Sequence, residues 1–231
     1  MSLGADLKSE VKKIFSGQWT ARDGQQVPDS DNLKLSNDAV KLDGTVLYAD
    51  LSGSTNLVAG SKAHFAGEIY KTYLHCAAKI ITSEGGVITA YDGDRIMAVY
   101  IGTSKNTSAA RSGLMINYAV EYIVNPALKA QYPNETYVVK QVVGIDTSKL
   151  FVARTGIRGS NDLVWVGRAA NYAAKLTELS DDYPTWITAD VYNMLNETLK
   201  TSNGKPMWEA MLWTAMNNFS IYRSNWWWRI E

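Results

Sequence analysis

The chain has one cysteine, no net charge and no long apolar run. The single Cys76 excludes an intramolecular disulfide framework and any multi-cysteine zinc site, and it fits a reducing compartment. Lys plus Arg number 23 and Asp plus Glu number 23, so no net field draws the protein to nucleic acid or to an acidic membrane. Any phosphate-binding site has to be built locally. No stretch approaches the roughly 20 apolar residues of a membrane helix, and the charged start MSLGADLKSEVKKIF lacks an apolar signal core. A soluble, cytoplasmic protein is therefore expected. Ready-made phosphate loops are missing as well: GIRGSND lacks the Lys and hydroxyl of a P-loop, and no GxGxxG follows a strand. The two histidines, His64 and His75, are off any common metal-ligand spacing.

What the chain does have is 231 residues at 46% apolar content, enough to bury a core in one catalytic domain with added elements. Residues 1–40 read as a packed N-terminal extension, with a short helix over 8–15 and a turn-rich stretch through Gly24, Pro28 and Asp29. TVLYAD, residues 45–50, is the first strong strand and leads at once into a turn of small residues. Phe65, Ile69, Tyr73, Ala77 and Ile80 recur at helical spacing, and Gly85-Gly86 supplies the stop. Residues 87–91 and 95–101 form a hairpin around Asp92, Gly93 and Asp94. A second helix is expected over 107–128, with Ile116, Val120, Ile123 and Val124 inward, followed by a strand over 137–146. The order is βαββαβ. Short strands at 150–154 and 163–166 and a helix over 168–179 follow. The catalytic domain is assigned to 41–200 and a Trp-rich set of packed C-terminal elements to 201–231, since five of the eight tryptophans lie between Trp208 and Trp228.

Asp50 ends a strand and Asp94 sits on a hairpin tip, on strands that are natural neighbours in a βαββ unit. Two carboxylates meeting there repel unless a cation lies between them, and oxygen-only ligation suits Mg²⁺ or Mn²⁺. Spacing alone leaves a second reading open, in which Asp50 caps the turn and Asp94 is an ordinary hairpin residue. Arg168, Asn171 and Lys175 share one face of the helix after Gly167. That face is either a solvated surface or a grip for phosphate and ribose.

TVLYADLSGST, GGVITAYDGDRIMAVY and VGRAANYAAKL resemble, in order and spacing, the three signature segments of class III nucleotide cyclases. With RDGQQVP and the Trp-rich tail, the resemblance extends to the bacterial pyrimidine cyclases of Pycsar anti-phage defence. It implies an α+β fold: a ferredoxin-like βαββαβ catalytic domain with extra C-terminal strands and helices. It further implies that Asp50 and Asp94, with the carbonyl of Leu51, hold two Mn²⁺ or Mg²⁺ ions, one activating a 3′-hydroxyl and the other binding the triphosphate. Asn171 then orients the ribose and Lys175 supplies the cation that stabilises the pentavalent phosphate. Most relatives carry Arg there, and Lys keeps the charge without the bidentate fork. Sites of this family form across a head-to-tail homodimer, and the product acts on a separate cyclic-nucleotide-responsive effector.

The base-selecting positions of purine cyclases fall at or beside Ala90 and Val164, neither of which reads a purine edge. Tyr48 shares the strand face of Asp50 and Arg95 follows Asp94. A bulky Tyr shortens the pocket, and an Arg donor suits O4 of uracil better than the amine of cytosine. UTP, giving cyclic UMP in anti-phage signalling, is favoured over CTP. Purine triphosphates and a degenerate nucleotide-binding domain stand further off, the last prompted by Lys175 and by Ser148 in place of a common Gly. Tyr48 as a core aromatic and Arg95 as a partner of Asp92 or Asp94 remain open at this point.

Overall fold

A computed structural model describes residues 2–231. It begins with helix α1 (Leu3–Ser16), whose first turn is capped by the Ser2 hydroxyl, and strand β1 (Thr20–Asp23). The apolar stripe of α1, Leu3, Leu7, Val11 and Ile14, is exposed throughout, so this helix is not the packed element expected of the extension. Polar bonds hold only its end: Asn37 Nδ2 donates to the carbonyls of Ile14 and Gly17.

Strand β2 (Asp38–Leu51) is the spine of the molecule, beginning seven residues before the expected Thr45. After it come α2 (Ser54–Gly60), α3 (Ala63–Ser83) and the hairpin of β3 (Val87–Asp92) and β4 (Arg95–Tyr100). Gly93 makes the hairpin turn at φ +62°, a conformation that a side chain resists. The five α3 positions expected to face inward are all buried.

The second long helix is divided. It runs as α4 (Lys105–Ala119), a π turn over Val120–Val124, and α5 (Asn125–Gln131). Pro126 lacks the N–H that would bond the carbonyl four residues back, and the wider turn absorbs the misfit. One consequence corrects the sequence reading: Val120 and Val124 stay buried, but Ile123 rotates outward to 47% exposure.

Strands expected at 137–146 and 150–154 are one strand, β5 (Gln141–Ile157), which starts later and does not break. Its polar middle is carried by pairing, with Thr147 and Ser148 opposite Thr45 and Gly44 of β2. Next are β6 (Ser160–Val166), α6 (Arg168–Leu176), β7 (Thr185–Thr188) and α7 (Ala189–Asn193). Helix α6 stops three residues before the expected end, where Thr177 Oγ1 donates to the Ala174 carbonyl. A two-residue hairpin, β8 (Thr201–Ser202) and β9 (Lys205–Pro206), precedes β10 (Glu209–Trp213) and β11 (Phe219–Ser224).

Nine strands form one sheet in the order β10-β11-β7-β5-β2-β4-β3, with β1 along β2 and β6 along β5. Its centre, β5-β2-β4-β3 with α3 and α4 between, is the expected βαββαβ unit. Side chains alternate across β2: Leu47, Ala49 and Leu51 enter the core with α3 and α4, whereas Val46 and Tyr48 meet the alanines of α6. Helix α6 lies so close to β5 that a side chain at Gly144 would come within 2.2 Å of the Ala173 carbonyl oxygen. In the tail, Trp208 and Trp213 are buried, and the Trp228 N–H donates to the Leu114 carbonyl. Among the described residues, no helix is long and apolar enough to cross a membrane.

Candidate active site

At the end of β2, Asp50 pairs in register with Arg95 of β4, and the tight turn places Asp94 immediately beside that pair. Burial, then the charge of Asp94, push the Asp50 carboxyl up to about 6. The Arg95 guanidinium opposes that rise but does not cancel it. Arg95 lies 5.2 Å from the centre of the Tyr48 ring and donates from Nη2 to Asp92 at 3.1 Å, while its buried Nε has no partner. Tyr48 is half-buried and packs beside Ala90 and Met97. Thus Tyr48, Asp50, Leu51, Asp94 and Arg95 form one cluster at one end of the sheet.

Tyr73, on α3, lies near enough to this cluster to feel both acids. Helical spacing turns it inward on α3 but assigns its hydroxyl no role. Its side chain is fully buried and the hydroxyl has no hydrogen-bond partner. Burial, then the charges of Asp50 and Asp94, push that phenol well above its usual range. A hydroxyl-bearing side chain in an otherwise apolar helical stripe was the available signal.

Helix α6 presents a second, separate face. Asn171 and Lys175 are both exposed and share one side of the helix. Among the described residues, no hydrogen bond or ion pair joins either to Asp50 or Asp94. Arg168 turns away from them. Its Nε and Nη2 meet both oxygens of Asp146 at 2.9 and 3.1 Å, and Nη2 also reaches the Thr147 carbonyl and Asp190. Asp146 is fully buried and takes a further bond from Thr188 Oγ1 at 2.6 Å. Arg168 is therefore the anchor of α6 rather than part of an outward-facing triad. Ser148 has a local task as well: its Oγ accepts the Ala169 N–H at 3.0 Å, capping a helix whose N-cap residue, Gly167, has no side chain to do so.

The turn after β2 is fastened from behind by residues with no signal in the sequence. Ser52 Oγ donates to Asp181 Oδ2 at 2.7 Å, and Lys140 Nζ donates to Asp181 Oδ1 at 3.1 Å. Ser52 and then Lys140 hold the Asp181 carboxyl below the usual carboxylate range. The partners are 129 and 41 residues apart in the chain, so no local pattern announces them.

Among the described residues, no group of three or more His, Cys, Asp or Glu side chains gathers as a ready metal cage. Two features nevertheless fit an oxygen-bound divalent cation. Asp50 and Asp94 crowd like charges at a half-buried site, raising Asp50, and the buried, orphaned Tyr73 hydroxyl feels the charge of the same pair.

No protein-family profile matches the chain. It is 57% identical over 232 residues to the uridylate cyclase of Xanthomonas perforans and 53% identical over 232 residues to that of Burkholderia cepacia, each match covering all of both chains. Among solved structures, the adenylyl cyclase CyaB from P. aeruginosa superposes with a TM-score of 0.67 at 18% identity, over 80% of this chain and 95% of that one. The fold is that of class III cyclase catalytic domains, and on its full-length identity the chain belongs to the uridylate cyclase family, as an enzyme of that kind.

Proposed function

We propose that the chain converts UTP to 3′,5′-cyclic UMP and pyrophosphate, as a homodimer in which each site draws on both protomers. The full-length 57% identity to a uridylate cyclase carries this reading. In the reaction, the ribose 3′-oxygen forms a bond to the α-phosphorus, the bond from that phosphorus to the β-phosphate oxygen breaks, pyrophosphate leaves, and the 3′-hydroxyl proton passes to solvent.

Asp50 and Asp94, with the Leu51 carbonyl, are the residues that would hold two divalent ions, Mn²⁺ or Mg²⁺. Such ions, when bound, supply positive charge that acidifies the 3′-hydroxyl and neutralises the triphosphate. Asn171 of the second protomer orients the ribose, and its Lys175 balances the charge that grows on the α-phosphoryl oxygens. The exposure of these two side chains in a single chain, away from the carboxylates, supports a site completed by a second copy. Arg168 acts through position, holding α6 on buried Asp146.

Tyr48 narrows the base pocket against purines, and Arg95 donates to uracil O4. Its guanidinium is about a third exposed and, among the described residues, bonds one carboxylate, Asp92, which leaves donor capacity on its Nη groups for a base. The product is a diffusible signal for a separate cyclic-nucleotide-responsive effector in anti-phage defence.

The test is incubation of the purified protein with Mn²⁺ and equimolar UTP, CTP, ATP and GTP, followed by chromatography of the cyclic products. Cyclic UMP as the dominant product is expected. Cyclic CMP in its place would keep the mechanism and overturn the base assignment, and no cyclic product from a confirmed dimer would overturn the enzymatic reading.

A further inference from the structure

The pairing of β2 with β4 ends at Asp50 and Arg95, and its pairing with β5 ends one residue later, at Leu51 and Gln141. Past that point the Ser52 N–H donates to the Lys140 carbonyl at 2.9 Å. That N–H and the Leu51 carbonyl belong to one planar trans peptide, on which they point in opposite directions. The bond to Lys140 therefore turns the Leu51 carbonyl away from β5 and toward the β4 side, where Asp94 lies. Among the described residues, none on β4 pairs with Leu51. A backbone carbonyl has no rotamers, so its aim is only as firm as the peptide that carries it.

Little else holds that peptide. Gly53 is left-handed at φ +70° and precedes α2 without a side chain to cap it. Among the described residues, the one side-chain hydrogen bond made within 51–54 runs from Ser52 Oγ to Asp181 Oδ2 at 2.7 Å. Asp181 is itself fixed. It follows α6 on a loop that buried Trp186 ties down, its Nε1–H donating to the Ser180 carbonyl at 3.2 Å, and Lys140 Nζ donates to the second Asp181 oxygen at 3.1 Å. Lys140 thus serves the turn twice, by its carbonyl on the Ser52 N–H and by its ammonium on Asp181. The ammonium is more than half exposed, where an ion pair contributes little, so the Ser52 bond is the contact with consequence.

We propose that Asp181 is a positioning residue for the divalent-ion site: through Ser52 it holds the peptide between Leu51 and Ser52, and with it the Leu51 carbonyl, in the orientation that ion binding needs. This rests on the reading of Asp50, Leu51 and Asp94 as the ligands of the ion. Mg²⁺ demands near-ideal octahedral geometry, so a carbonyl free to tilt is a poor ligand for it. Groups that orient a metal ligand from behind typically hold about ten- to a hundredfold of the affinity. Asp181 acts from the far side of the peptide, and its effect passes through the Ser52 hydroxyl.

The experiment follows Mn²⁺ binding through the rise in melting temperature of the full chain, each variant referred to its own metal-free value so that a loss of stability alone does not register. Ser52→Ala and Asp181→Ala are each expected to weaken Mn²⁺ binding about tenfold or more. The double variant should be no worse than either, because both changes remove the same bond. Asp181→Asn, which keeps an oxygen to accept from Ser52, should recover most of the affinity. Asp50→Asn is the control for the site itself. A response lost in Asp50→Asn but kept in full by Ser52→Ala and Asp181→Ala would overturn the proposal alone, as would losses that multiply in the double variant, or an Asp181→Asn no better than Asp181→Ala. A response that Asp50→Asn retains would overturn the metal reading and the proposal with it. Should Asp181→Ala fail to fold, Ser52→Ala, which deletes one oxygen from the same bond, decides.

Discussion

Asp50 stands directly opposite Arg95 across β2 and β4, Asp92 stands opposite the same arginine across β3 and β4, and Asp94 precedes it on the turn, so three acids and one base share one end of the sheet. The base does not balance the acids, since the Asp50 carboxyl remains raised to about 6. The site is thus built at a cost to folding that a bound cation would offset.

Removing one acid separates catalysis from stability. Asp50→Asn and Asp94→Asn are each expected to reduce turnover by at least about a hundredfold, the scale of lost charge stabilisation at a reacting centre. The same Asp50→Asn change should stabilise the metal-free protein above pH 6 by roughly 1 kcal/mol, or about 2–4 °C in melting temperature. The sign follows from the raised folded value: ionised Asp50 is penalised by folding, the penalty grows from the unfolded pKa up to about 6, and it is complete above that. Melting curves at pH 5 and pH 8 without metal check this, and a variant less stable than wild type at pH 8 contradicts it.

Cation binding should be visible without turnover. Mn²⁺ is expected to raise the melting temperature of the wild-type protein in a concentration-dependent way, as any ligand of the native state does. Asp50→Asn and Asp94→Asn should lose most of that rise. Equal shifts in all three proteins would place the ion elsewhere.

The proposed function gives base choice to Tyr48 and Arg95, whose ring and guanidinium are 5.2 Å apart. Arg95→Ala should lower kcat/KM for UTP by about tenfold or more, the value of a lost charged hydrogen bond, and shrink the margin over CTP. Tyr48→Ala should raise the share of purine products. Unchanged product ratios in a four-nucleotide competition would remove both residues from the base pocket.

The anchor beneath α6 is a stability prediction. Asp146→Asn leaves the Arg168 guanidinium, a third of it exposed, with Asp190 as its remaining carboxylate partner among the described residues, and is expected to cost about 1.5–3 kcal/mol, read by urea unfolding. A loss below about 1 kcal/mol would mean that Asp190 alone suffices to hold Arg168.

The sequence made the central unit legible because its signals are local. The α3 stripe from Phe65 to Ile80 and the hairpin turn at Gly93 depend on near neighbours, and both are where periodicity and turn chemistry put them. What stayed hidden depends on distant partners. The polar run at 146–149 looks like a break but is held in β5 by β2, and Ile123 faces out because Pro126 widens the turn before it. At the site, Asp50, Asp94 and Arg95 could be placed together from strand adjacency. The Ser52–Asp181 contact and the inward turn of Arg168 to Asp146 could not, because each pairs residues brought together only by the fold.

On the proposed function, the carboxylates of one protomer work with the α6 side chains of another. Asp50→Asn and Asn171→Ala chains, each inactive alone, can be mixed in equal amounts and allowed to exchange subunits. Half of the dimers are then mixed, and each of these has one of its two sites intact, so about a quarter of wild-type cyclic UMP synthesis should return. Absence of any recovery, with subunit exchange verified by mass, would contradict a shared site and put all of its residues in one chain.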